Sequence, residues 1–191
     1  MTKNRLEGFS DGVMAVIITI MVLELKVPHG GDAAALLPLI PVFVSYLLSF
    51  VFIGVYWNNH HHLLHAAQHV NGRILWANLH LLFWLSLIPF VTGWMGENDF
   101  AALPVAFYGI VQLFAGFAFF LLAQSLVATH GRDSALAKAI GRDFKGKASL
   151  VVYVIAVPVA FMDPAAAFVL YVAVAAVWFV PDSRIERAFA R

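Results

Sequence analysis

Cysteine is absent from all 191 residues, so the chain can form neither a disulfide nor a thiolate metal site. Charge is scarce as well: 12% of residues are charged, against roughly 25% in a soluble domain. With 62% apolar residues and a mean hydropathy of +0.84, too little polar surface remains to coat a separate soluble domain. No nucleophile stands beside a base, no glycine loop is built to cradle phosphate, and no carboxylates are paired, so nothing points to an enzyme. There is also no internal repeat, no low-complexity tract and no linker, and residues 1–191 read as one bundle and one domain.

What the chain does have is long apolar runs. Six hydrophobic spans are expected, at about 9–28, 36–57, 74–95, 101–128, 149–162 and 164–181, most near the roughly 20 residues that cross a bilayer. The fifth is short, with Pro158 near its middle. The first is no signal peptide, because its apolar run is too long, carries Glu24 and is not followed by a small-residue cleavage site. Lys and Arg set the orientation. With six spans, Lys3, Arg5, Arg73, Arg132, Lys138, Arg142, Lys145, Lys147, Arg184, Arg187 and Arg191 share one side, and the other holds only Lys26 with Asp32, Glu97, Asp99 and Asp163. Cytoplasmic loops retain basic residues, so both termini are expected in the cytoplasm of a multi-pass protein of the cell (inner) membrane. The basic stretch 132–147 is then a topology determinant rather than a nucleic-acid site.

The entrance to the first span is where polar groups meet lipid. Arg5 to Asp11, RLEGFSD, runs directly into GVMAVIITIMVL. A charge at membrane depth costs about 2.5–3.5 kcal/mol on insertion scales and faces protein or water. Offsets of three, four and seven return to one helical face, so Gly12, Val16, Thr19, Ile20 and Leu23 form a stripe that is apolar except for one hydroxyl. Ser10 and Asp11 lie off that stripe. Together with Arg5 and Phe9 they are expected to hold the first helix against its neighbours, in a polar knot near the cytoplasmic side. Its other members would come from Trp57 and His60 at the end of the second span and from Asn78 and His80 in the third, which supply an indole, imidazoles and an amide.

The spacing R-x-x-x-F-S-D made by Arg5, Phe9, Ser10 and Asp11, with a Thr eight residues past the Asp, resembles the signature of the lysosomal potassium channel transmembrane protein 175 family and its prokaryotic homologues. Trp57, His60, Asn78, Pro89 and Phe90 support the likeness, which covers about residues 5–90. The resemblance implies an all-α, potassium-preferring cation channel whose first helix lines a central pore. It also implies a homotetramer of six-span chains in the lipid bilayer, passing potassium and other monovalent cations without a bound cofactor. Carried over by position, the hydrophobic constriction falls on Val16, further pore-facing apolar levels on Ile20 and Leu23, and an intervening hydroxyl on Thr19. Val16 is smaller than the Ile or Leu usual in relatives, so Ile20 or Leu23 is expected to be narrower. No TVGYG-type filter exists, and Phe107, Tyr108 and Gly109 match one only by chance. Selection would rest on a Thr19 ring between apolar rings that conduct when wetted, with modest preference for potassium over sodium.

Two other readings are weighed. HHHLLHAAQH places His61 with His65, and His65 with His69, at i and i+4, a spacing able to grip a divalent ion on a helix, but neither a carboxylate nor a cysteine lies within the segment to complete a site. A solvated cytoplasmic turn is expected there, and no metal site. Haem is disfavoured because only His80 lies well within a span. A proton-coupled secondary transporter relaying through Asp11 and His80 is the other alternative; it lacks the inverted repeats and matching broken helices of such proteins.

Overall fold

A computed structural model describes residues 2–131, 134, 137 and 143–179. It is all-helical, and the six expected spans correspond to six helical rods. The first, α1 (Lys3–Leu23), buries Leu6, Ser10, Met14, Ile17 and Met21, one residue per turn on a single face. It stops at Glu24, earlier than expected, and Pro28 follows. A 3-10 stretch, Ala33–Leu39, is capped by Asp32, whose carboxylate accepts from the Ala35 N–H, and leads into α2 (Ile40–His65) with Pro41 in its first turn. At 26 residues α2 is about 39 Å long at 1.5 Å per residue, so it runs eight residues past the expected end of the second span.

The third rod is broken. α3 (Gly72–Ser86) is capped by Asn71, whose Oδ1 accepts from the Ile74 N–H at 3.0 Å, and gives way at Leu87 to α4 (Ile88–Glu97). Pro89 is the cause: it lacks an N–H, and its ring excludes the carbonyl four residues earlier, on Leu85. α5 (Ala102–His130) is the longest single α-helix among the described residues. α6 (Phe144–Val159) follows, capped by Asp143, and α7 (Pro164–Phe179) is capped by Asp163, which accepts from Ala165 and Ala166. The expected fifth span is displaced: the helix begins at Phe144 rather than 149, so Pro158 lies in its last turn and not near its middle. The basic residues Arg132, Lys138, Arg142, Arg184, Arg187 and Arg191 lie outside the described residues.

Among the described residues four rods are long and apolar enough to cross a bilayer, 3–23, 33–65, 72–97 and 102–130; Pro164–Phe179 is a shorter apolar helix. α5 is central, packing on α3, α4, α6 and α7, while α1 lies on the outside against α2, α3 and α4. Tyr108 and Tyr171 fill the centre, and Tyr171 donates to the Val105 carbonyl at 3.1 Å. Gly109 permits this approach, since a Cβ there would overlap the Tyr171 hydroxyl. Gly96 does the same where α4 crosses α2: its Cβ would stand 2.7 Å from the Cα of Val42.

The bundle has two chemically distinct ends. At one, Lys26 after α1 meets Glu97 at the end of α4. At the other, Lys3 donates to the His65 carbonyl and His130 accepts from the Gln68 and His69 amides.

Candidate functional site: the outward stripe and polar chain of α1

The two faces of α1 serve different purposes. Its inward face carries Ser10, fully buried, whose hydroxyl donates to the Leu6 carbonyl at 2.9 Å and accepts from Asn78 Nδ2 at 2.9 Å. Asn78 Oδ1 stands 2.7 Å from His60 Nε2. Because a carboxamide oxygen only accepts, the His60 proton sits on Nε2, and the chain runs in one direction from His60 through Asn78 and Ser10 to the α1 backbone. Three rods, α2, α3 and α1, are thereby joined by groups that are each 0% exposed. His60 Nδ1 is left buried without a hydrogen-bond partner among the described residues. Asp11 makes a separate and wetter contact, accepting from Trp57 Nε1 at 3.1 Å.

Three residues expected in this network lie elsewhere. Arg5 is exposed and makes no hydrogen bond or ion pair among the described residues, because it sits in the first turn of α1, where its long side chain reaches out of the bundle. Phe9 is 49% exposed on the outer face. His80 faces away from Asn78 and accepts from Trp84 Nε1 on its own helix at 3.0 Å.

The histidine run is helical through His65, with His69 beyond the helix end, rather than a turn throughout. His60 to His65 complete α2, so the period sends His60 inward while Trp57, His61 and His65 stack along the outside, with ring centroids 6.1 and 6.0 Å apart. His60 is thus a second histidine held well inside a helix, besides His80. Glu7 on α1 supplies a carboxylate 3.9 Å from His61 Nδ1 that the local sequence lacks. Among the described residues no three His, Asp or Glu side chains are placed to hold a metal.

The outward face carries the stripe. Val16, Ile20 and Leu23 are 54%, 43% and 80% exposed, and Gly12 and Thr19 are exposed beside them. Gly12, Val16 and Ile20 form one wall of an open groove of about 1000 Å³, with Pro89, Phe90 and Gly93 of α4 opposite; Thr19 and Leu23 lie beyond its edge. Thr19 Oγ1 lies 2.9 Å from the Val16 carbonyl and 3.1 Å from that of Ala15. Its single proton is therefore engaged by the helix, and the oxygen lone pairs face outward, the arrangement a cation needs from a hydroxyl. At the Lys26 end, the hydrogen bond to Glu97 and then its charge raise the Lys26 pKa above the ordinary lysine value.

Sequence reasoning missed a second polar cluster. Ser49 on α2 bonds Thr92 on α4 at 2.7 Å and Tyr108 on α5 at 3.1 Å, and Gln112 Nε2 donates to the Tyr108 hydroxyl at 3.1 Å. The only available signal was isolated hydroxyls and one amide in otherwise apolar runs.

A family model described as endosomal/lysosomal potassium channel TMEM175 matches residues 5–89. A protein named potassium channel from Chryseobacterium sp. (strain P1-3) is 50% identical over 188 residues, 98% of each chain. The human endosomal/lysosomal proton channel TMEM175 is 34% identical over 96 residues, covering 44% of this chain and 19% of the human one. In three dimensions the chain resembles the crystal structure of a lysosomal potassium-selective channel TMEM175 homologue from Chamaesiphon minutus. The TM-score is 0.81 at 26% identity, over 93% of this chain and 96% of the other.

Proposed function

The chain belongs to the TMEM175 family of ion channels, not to an enzyme family, and on that premise we propose that it is a homotetrameric, potassium-preferring cation channel whose α1 helices line the pore. The whole chain acts as one channel domain of six crossings, with both termini cytoplasmic. The observation that carries this reading is the outward stripe of α1. A membrane helix gains nothing from presenting a hydroxyl to lipid, whereas four copies around an axis would give apolar rings at Val16, Ile20 and Leu23 and a ring of hydroxyl acceptors at Thr19. Hydrophobic rings conduct only when wetted, and hydroxyl oxygens replace part of a cation's water. The proton-relay alternative finds less support, because Asp11 and His80 hold different partners, Trp57 and Trp84.

Purified protein in planar bilayers under a potassium/sodium gradient should give currents reversing toward the potassium equilibrium potential, and native mass spectrometry should give four copies. A monomer with full transport activity, or electroneutral transport without current, would contradict the proposal.

The histidine run is not needed for conduction in this account. Replacing His61, His62, His65 and His69 together should leave currents at neutral pH intact, because the buried His60 is untouched, His61 and His65 stack along the outside of α2, and His69, beyond the helix, stacks on His130. Elemental analysis reading stoichiometric zinc or copper, lost with the current in that variant, would refute this.

A further inference from the structure

At the end of α1, the flank of the outward stripe that faces α4 carries a carboxylate. Glu24 follows Ile20 by one helical turn and closes the end of the groove walled by Val16 and Ile20. It is also the residue at which α1 ends, so the unpaired carbonyls of the last turn add partial negative charge at the same place. The other carboxylates at this end of the bundle are mostly engaged. Asp32 accepts from the Ala35 N–H, Asp163 from those of Ala165 and Ala166, and Glu97 holds Lys26 at 2.6 Å. Glu24 is exposed and makes no hydrogen bond or ion pair among the described residues. Asp99, the remaining one, follows α4 and shares the lining of a second cavity with Glu24, Lys26 and Glu97. Lys26, held by Glu97, also senses the charge of Glu24, but one lysine among five carboxylates leaves this end of the bundle net negative.

We propose that Glu24 is a conductance- and selectivity-determining residue: four copies form a carboxylate ring at the mouth of the permeation path, concentrating monovalent cations there and repelling anions. This rests on the assignment of α1 as the pore helix. Four carboxylates around a low-dielectric mouth focus their field on it, which raises local cation concentration well above bulk. Partial dehydration is left to the Thr19 oxygens and the apolar rings deeper in the path.

The signature is dependence on ionic strength, since the field reaches about 30 Å at about 0.01 M salt and only about 3 Å at about 1 M. Single-channel conductance of Glu24→Gln in planar bilayers should fall about fivefold at the low concentration for cations entering from the Glu24 end, and should match the unmodified channel at the high one. Glu24→Lys should fall further and rectify. Glu24→Asp keeps the charge and should keep the low-salt conductance. Each variant is first shown to be tetrameric, and glutamine at this exposed, unbonded position keeps the shape of the side chain. Ile20→Ala is measured in the same bilayers. If Ile20→Ala alters conductance while Glu24→Gln matches the unmodified channel at low salt, the Glu24 ring is wrong and the pore helix stands. If neither alters it, the pore-helix reading fails and takes the ring with it. Equal losses in Glu24→Asp and Glu24→Gln would overturn the electrostatic role.

Discussion

Asn78→Ala is expected to destabilise the tetramer by about 2–4 kcal/mol, most of it from groups left behind rather than from bonds removed. A hydrogen bond between membrane helices contributes on average only about 0.6 kcal/mol, because helices separated in the bilayer also find partners. Two such bonds would account for little. Losing the Asn78 amide, however, leaves His60 Nε2 buried with no acceptor, on a ring whose Nδ1 already has no partner, and removes the donor that Ser10 accepts from. The expected readout is a fall of about 5–10 °C in melting temperature in detergent, at about 2–4 °C per kcal/mol for a chain of this size. Trp57→Phe removes only the donor to Asp11. With Trp57 46% exposed, water takes its place, and the loss should stay below about 1 kcal/mol. Equal melting temperatures for the two variants would show that the buried chain does not join the rods.

Ile20→Ala and Leu23→Ala should produce the largest change in current. In the proposed tetramer four branched side chains at each level exclude water unless they spread, and alanine would remove most of that bulk, widening and wetting the path. Both variants should raise single-channel current severalfold and reduce discrimination between potassium and sodium. Val16→Ala should do less, because valine already leaves a wider ring. The same substitutions on a lipid-facing stripe would leave current unchanged, so bilayer recordings of the three variants rank the rings directly.

The outward stripe of α1 was legible because period alone selects Gly12, Val16, Thr19, Ile20 and Leu23, and the buried residues Leu6, Ser10, Met14, Ile17 and Met21 occupy the complementary face. The partnership of Ser10 with Asn78 and His60 followed from the cost of burying polar groups in apolar rods. Other contacts depend on rotation and reach that single spans do not encode. Arg5 carries the motif's charge, yet first-turn placement lets it point outward. His80 was read as a partner of α1, but two residues along a helix turn it away from Asn78, toward Trp84. The histidine run reads as a turn because its composition is polar, and it is helical through His65 because α2 extends beyond its apolar stretch. The Ser49, Thr92 and Tyr108 cluster joins residues 43 and 59 positions apart, each an ordinary guest in an apolar helix, and no local pattern marks it.

The central claim is that α1 lines the pore and that Thr19 sets cation preference. It is tested most directly by the bi-ionic potassium/sodium reversal potential of Thr19→Val against Ile18→Val, the latter on the opposite, packed side of the same helix. Thr19→Val keeps the shape and removes the outward oxygen, so its reversal potential should shift toward zero while Ile18→Val keeps that of the unmodified channel. Equal reversal potentials for the two variants would remove Thr19 from the filter and contradict the assignment of α1 as the pore helix.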